Sequence, residues 1–309
     1  MTAEHSPHSV RDQRAARALA ALRGLAVGDA LGSQFFVPVH LPLLRRRELP
    51  PGEWQWTDDT EMAGSILTVL VEHGEIDQDA LAAAFAEHHD FDRGYGPAVN
   101  RMLRQIRQEG ADWRELAAAL FDGAGSWGNG AAMRVAPLGA WYADDPERAA
   151  DQAELSAYVT HQHREAVAGT RAVAAAAAVL AGHDEPSAPD GPELLGRVLE
   201  LVPRSAVQAG IRRARDMLDY ADVGTVAAVL GCGRRTSAHD TVPFSLWAAA
   251  RHPGDFAAAF WDTAQAGGDV DTTCAIVGGI VASGPAGAPP EEWARHTEHL
   301  PEWLPKVEG

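Results

Sequence analysis

Trp56-Thr57-Asp58-Asp59-Thr60 opens a run in which Met62, Ile66, Leu67 and Leu70 recur at helical spacing. Two carboxylates beside two hydroxyls at a helix start make a compact set of hard oxygen donors, the kind that Mg²⁺ or Ca²⁺ takes. A second set stands far along the chain, where Gly267-Gly268-Asp269-Val270-Asp271-Thr272-Thr273 opens another helical run through Ile276, Val277 and Ile280. If the fold joins the two starts, four carboxylates and two threonines face one another, and a two-metal site follows. Either set alone reads as ordinary capping, because helix starts select Thr and Asp and the macrodipole favours acids there. Capping needs one short polar side chain, yet each set carries at least three. The surplus acids repel one another unless a cation or other positive group compensates.

Outward from this stretch the pattern stays helical. Ala18, Leu22, Leu25, Ala26 and Ala30 repeat at helical spacing from Gln13 to Leu31, and Gly24, Gly28 and Gly32 fall every fourth residue among them. Glycines on one helix face let another backbone come close. Asp29 is either a buried carboxylate that needs a donor or a metal-bound water, or a capped, half-exposed acid. Further helices are predicted over 57–73, 77–89, 98–108, 131–141, 153–180, 193–201, 205–220, 223–230, 242–250 and 256–265, with Phe35 to Glu53 as a Pro-rich loop. There is no internal repeat and no convincing strand, so the fold class is all-α. Residues 1–12 read as a disordered tail, 13–300 as one domain and 301–309 as a C-terminal tail. The stretch 181–192 is rich in Gly, Pro, Asp and Ser. It reads as a loop insertion rather than a domain boundary, because the two acidic sets lie on either side of it and must meet.

Composition narrows the function. Of 309 residues 46% are hydrophobic, enough for a sizeable core, and the abundance of alanine favours closely packed helices. A net charge of −17 argues against a nonspecific grip on nucleic acid but leaves room for a nucleotide in one local pocket. Cys232 and Cys274, the two cysteines, form no Cys-x-x-Cys motif, so neither a disulfide framework nor a structural zinc is expected. No signal peptide and no run of about twenty apolar residues is visible, so a cytoplasmic protein that does not enter the membrane is expected.

Phe121-Asp122-Gly123-Ala124-Gly125-Ser126-Trp127-Gly128-Asn129-Gly130 reads either as a mere turn or as a loop whose backbone N–H groups cradle a phosphate, with the Trp127 face offered to a base or ribose. His161 and His163, placed inside the helix predicted over 153–180, would lie on different faces and not share a metal. Adjacent His88 and His89 likewise read as a polar helix end. Arg45-Arg46-Arg47 reads as a solvated loop, and Ser237, His239 and Asp240 are too close in sequence to form a hydrolase relay.

Taken together, Gly28-Asp29-Ala30-Leu31-Gly32, Trp56 to Thr60, the Gly-Asn-Gly loop running into Met133-Arg134, Thr160-His161 and Gly267-Gly268-Asp269-x-Asp271-Thr272 resemble, in order, the motif set of the ADP-ribosylglycohydrolases. The likeness runs from about Arg17 to Ser283 and is nearest the branch that acts on serine-linked ADP-ribose. It implies a single-domain orthogonal helical bundle with two Mg²⁺ ions, Mn²⁺ being an alternative. Thr57, Asp58, Asp59, Asp269, Asp271 and Thr272 match the metal ligands. Gly96, Gly125, Ser126, Gly128, Asn129 and His161 match the ADP-ribose pocket, with Phe121 and Trp127 in the places of aromatic contacts to adenine. One departure stands out: Phe36 occupies the position of a metal-linked Glu, and nothing in the sequence shows that Glu53 or Glu61 replaces it.

The resemblance implies a hydrolase of ADP-ribosylated protein or of a small ADP-ribose conjugate; a monomer is expected, and the chemistry of the parts makes Asp58 or Asp59 the expected acceptor of a proton from the attacking water, beside their role as metal ligands. Two alternatives stay open: an ADP-ribose-binding protein with little or no turnover, and a Mg²⁺-dependent phosphohydrolase. The acceptor, whether arginine, serine, O-acetyl-ADP-ribose or a nucleic-acid end, is not legible in the sequence.

Overall fold

Two helices from opposite ends of the chain form the spine of the molecule. The computed structural model describes residues 7–183 and 189–307, and in it α1 (Pro7–Ser33) packs along α15 (Val270–Ser283). The glycines at every fourth position are the reason. A Cβ at Gly28 would lie 2.1 Å from the Cys274 carbonyl oxygen, and one at Gly24 would lie 2.6 Å from that of Gly278. Backbone therefore meets backbone where any side chain would intrude. Gly28→Ala is expected to cost about 1–3 kcal/mol through this overpacking, read as a lower Tm in thermal unfolding.

Between them the chain forms α2 (Leu41–Arg46), α3 (Asp58–His73), α4 (Gln78–His88), α5 (Pro97–Glu109), α6 (Trp113–Ala119) and α7 (Ala136–Trp141). It continues with α8 (Pro146–Tyr158), α9 (Arg164–Ala181), α10 (Gly191–Leu201), α11 (Ala206–Asp216), α12 (Val223–Leu230), α13 (Ala238–Arg251) and α14 (Phe256–Gln265); α16 (Glu291–His296) follows α15. Among the described residues there is no strand, only isolated bridges at Trp54–Thr297 and Gly128–Ser237. The all-α expectation therefore holds. Helix α9 runs through the centre and touches α7, α8, α10, α13 and α15. Its alanines from Ala172 to Ala178 are buried, which allows that many neighbours to close around one helix.

Several boundaries differ from the sequence reading. Helix α1 already starts at Pro7, so residues 7–12 are not a disordered tail; the rest of that predicted tail and residues 184–188 of the predicted insertion lie outside the described residues. The helix expected over 153–180 breaks at 159–163. His163 caps a new helix there by accepting from the Glu165 N–H at 3.2 Å. The Pro-rich stretch 35–53 contains the short α2, and the helix expected over 131–141 shrinks to α7.

The C-terminal segment is docked. Glu298 N–H donates to the Trp54 carbonyl at 2.8 Å, Trp56 Nε1 donates to that of His299 at 3.1 Å, and Trp303 stacks on His88 at 3.7 Å. Arg93 ties this strap to the start of α3. Its guanidinium lies 3.4 Å from the Trp56 ring centroid and binds Glu298 through both Nη atoms, at 2.7 and 2.8 Å.

Candidate active site

The spine delivers Asp29 to the start of α3. This carboxylate is fully buried and accepts four hydrogen bonds, from Thr57 N (2.8 Å), Thr57 Oγ1 (2.8 Å), Thr60 N (3.2 Å) and Thr60 Oγ1 (2.6 Å). Burial still lifts it to about 6 against the pull of those donors. Asp29 thus clamps the first turn of α3 onto α1. Of the two readings of Asp29, the buried, hydrogen-bonded one is correct.

Thr57 is the true cap of α3, accepting from the Asp59 N–H at 3.4 Å, which leaves Asp58 and Asp59 as surplus acids. At the start of α15 the position of Asp269 is that of a cap, but its side chain makes no capping bond. Instead Asp269 Oδ2 accepts from Asn129 Nδ2 at 2.7 Å. The two helix starts touch: Thr272 Oγ1 lies 3.5 Å from Asp59 Oδ2. The convergence expected for the acidic sets is therefore present.

Among the described residues no Lys, Arg or His forms an ion pair with Asp58, Asp59, Asp269 or Asp271. Burial, reinforced by Asp29, pushes Asp58 up to about 8, and burial with neighbouring aspartates holds Asp59 and Asp271 well above the usual carboxylate range. Asp59 Oδ1 is buried without a hydrogen-bond partner among the described residues. Among the described residues no three His, Cys, Asp or Glu side chains already stand grouped as a metal cage. The donor set nonetheless fits hard divalent cations in chemistry: all oxygen, two hydroxyls among the carboxylates, one orphaned oxygen and, among the described residues, no ion-paired cation.

The glycine-rich loop leans on this centre from the other side. Asn129 N–H donates to the Thr236 carbonyl (3.0 Å), and Ala238 N–H to that of Trp127 (3.0 Å), so the loop is held against the start of α13. Gly125 adopts φ +74°, and a Cβ there would meet the His163 backbone nitrogen at 2.8 Å. Ser126 and Asn129 are buried, whereas Trp127 keeps 55% of its surface exposed, its ring standing edge-on to His163 and His239. Phe121, 57% exposed at the far end of the loop, makes no ring contact with Trp127 among the described residues.

His161 sits beneath the loop. A Cβ at Gly128 or Gly130 would approach its Nε2 to 3.1 or 3.0 Å, so a side chain at either position would crowd that nitrogen. Its Nδ1 lies 2.7 Å from Thr160 Oγ1, which accepts from the buried Arg134 at 2.9 Å. Burial, aided by Arg134, drops His161 to about 3. Arg134 and Thr160 carried no assigned role in the sequence reading, although an arginine inside the apolar run 131–136 is itself a signal.

Gly96 starts α5 two residues beyond Gly94, where a Cβ would lie 3.8 Å from Asp58 Oδ1. Near the acids opens a cavity of about 440 Å³ that includes Gln34, Glu53, Thr57, Arg93 and Gly94 in its lining. Phe36 is 52% exposed and supplies no carboxylate. Glu61 is engaged by Tyr95 Oη (2.7 Å) and Asp90 N (2.9 Å), while Glu53 is exposed on the cavity wall. A larger cavity of about 910 Å³ is walled by parts of α1 and α15 and by the strap, and neither cavity has any of the four acids in its lining. Among the described residues Ser237 Oγ and His239 Nδ1 have no hydrogen-bond partner, so Ser237 and His239 form no relay bond with each other through these atoms.

Known proteins give this geometry its context. The chicken (Gallus gallus) ADP-ribosylhydrolase ARH3 is 36% identical over 47% of this chain and 45% of that protein. The Homo sapiens ADP-ribosylhydrolase ARH3 is 28% identical over 92% of this chain and 91% of its own length. The ADP-ribosylarginine hydrolase Tri1 of Pseudomonas putida is 27% identical over 95% of this chain and 79% of its own. A solved structure described as an ADP-ribosylglycohydrolase-related protein complex matches with a TM-score of 0.64 at 26% identity, covering 93% of each chain. The family model for ADP-ribosylglycohydrolase matches residues 10–308, and the chain belongs to the ADP-ribosylglycohydrolase family.

Proposed function

We propose that this protein is a Mg²⁺-dependent hydrolase that releases ADP-ribose from an ADP-ribosylated acceptor. The observation that carries this reading is the contact of the α3 and α15 starts, Thr272 Oγ1 at 3.5 Å from Asp59 Oδ2, with the glycine loop joined to them through Asn129 and Asp269. The names of its relatives in Homo sapiens and Pseudomonas putida, an ADP-ribosylhydrolase and an ADP-ribosylarginine hydrolase, support the same substrate class.

Thr57, Asp58, Asp59, Asp269, Asp271 and Thr272 hold two Mg²⁺ ions, or Mn²⁺ in their place. The ions supply Lewis acidity toward the vicinal ribose hydroxyls and an attacking water. Loop residues 125–130 and His161 receive ADP-ribose, with Trp127 offering its exposed ring to the base. Cleavage at ribose C1″ passes through an oxocarbenium-like transition state, and the water that attacks must lose a proton. Asp58 or Asp59 accepts it. Asp29 holds the turn that carries both, so the proton acceptor stays in line with the sugar.

Phe36 favours a second reading, an ADP-ribose-binding protein with little or no turnover, since the chain offers no carboxylate at that position. Incubating defined arginine-, serine- and O-acetyl-linked ADP-ribose conjugates with and without EDTA, then identifying products, tests both. Free ADP-ribose released only with Mg²⁺ supports the hydrolase. Cation-independent binding without release supports the second reading, and released phosphate contradicts both.

A further inference from the structure

A buried arginine usually pairs directly with a carboxylate, and among the described residues Arg134 forms no ion pair, although the charge of Asp58 acts on it. It is fully buried, its guanidinium lies 4.4 Å from the Phe85 ring centroid, and Nη2 donates to the Ser156 carbonyl (3.0 Å) and to Thr160 Oγ1 (2.9 Å). Burial lowers it to about 9, which leaves it cationic at neutral pH. Its Nε has no hydrogen-bond partner among the described residues. Burying such a group is costly, so what it holds is informative.

What it holds is the orientation of one hydroxyl. Arginine can only donate, so Thr160 Oγ1 accepts from Arg134. The hydroxyl hydrogen must then find an acceptor, and among the described residues the one within reach is His161 Nδ1 at 2.7 Å. Had Nδ1 carried the proton, the Thr160 hydrogen would be left buried and unpaired. The pairing that satisfies both the Thr160 hydroxyl and Nδ1 puts the ring proton on Nε2, the nitrogen that lies beside Gly128 and Gly130.

We infer that Arg134 and Thr160 are positioning residues that fix His161 as a neutral Nε2–H donor toward an oxygen of the bound ligand, a role that rests on the ADP-ribose reading above. His161 then neither accepts a proton from water nor donates one; it orients. A charged imidazolium is disfavoured by burial first, and then by the same arginine that orders the relay.

Ring-nitrogen ¹⁵N NMR of the whole protein tests this without substrate, the His161 signals being assigned by their loss in His161→Gln. The expected wild-type spectrum shows one neutral tautomer, protonated at Nε2, from pH 5 to 8. Thr160→Val removes the hydroxyl, and the ring should shift toward protonation at Nδ1 or a mixture. By calorimetry the Kd for ADP-ribose should rise about tenfold, as for loss of one oriented hydrogen bond, with KM raised more than kcat is lowered. Thr160→Ser restores the hydroxyl and should restore tautomer and affinity together. A wild-type ring protonated at Nδ1, or a Thr160→Val protein with tautomer and Kd unchanged, overturns the inference. If wild type does not bind ADP-ribose, the functional reading and the donor role fail together, while the tautomer remains measurable.

Discussion

Asp58→Asn and Asp271→Asn are each expected to lower the rate of ADP-ribose release by about a hundredfold to a thousandfold or more, the cost of removing one element of a preorganised charged centre. Asn keeps the shape and one oxygen but loses the charge. Neither residue is needed for capping, because Thr57 caps α3 and the start of α15 has no side-chain cap. Folding should therefore survive, and relief of repulsion should leave the variants at least as stable as the cation-free wild type. Initial rates with and without Mg²⁺, beside thermal melts, separate the two effects. Turnover like wild type in both variants would remove these carboxylates from the chemistry.

Mg²⁺ should stabilise the protein, and more so at high pH. Burial lifts Asp29 to about 6, and burial with repulsion from Asp29 lifts Asp58 to about 8, whereas in the unfolded chain such groups titrate near 4. Between those values the folded protein keeps protons that the unfolded chain has released. Stability without a cation therefore falls as pH rises through that window. A divalent cation displaces these protons and compensates the charge, so binding tightens with pH. At a hundredfold excess over Kd the expected gain is about 2.7 kcal/mol, or roughly 5 °C in Tm, at pH 8, and clearly less at pH 5. Equal shifts at the two pH values, or none at pH 8, would contradict this account of the acids.

Local features of the fold were legible because local physics dictates them. The fourfold glycine spacing announced a close helix contact, and Thr57 announced a cap. Which helix Gly28 would meet was not readable from spacing, since Cys274 lies at the other end of the chain. The convergence of Asp59 with Thr272 likewise came from resemblance, not from periodicity. The break at 159–163 escaped notice because neither Gly nor Pro marks it and a histidine serves as the cap. That error hid the setting of His161, whose neighbours are a loop and a buried arginine rather than a helix face. The clasp of Arg93 on Trp56 and Glu298 has no sequence signature, because its partners are 37 and 205 residues away.

The central claim is that two helix starts, brought together by a glycine-lined spine, hold divalent cations beside the ADP-ribose pocket. Crystals grown in Mn²⁺ and measured for anomalous scattering test it most directly. Two peaks are predicted between the carboxylates of Asp58 and Asp59 and those of Asp269 and Asp271, within ligating distance of Thr57 and Thr272. Saturating Mn²⁺ that leaves this space without an anomalous peak, or that binds only elsewhere, would contradict it.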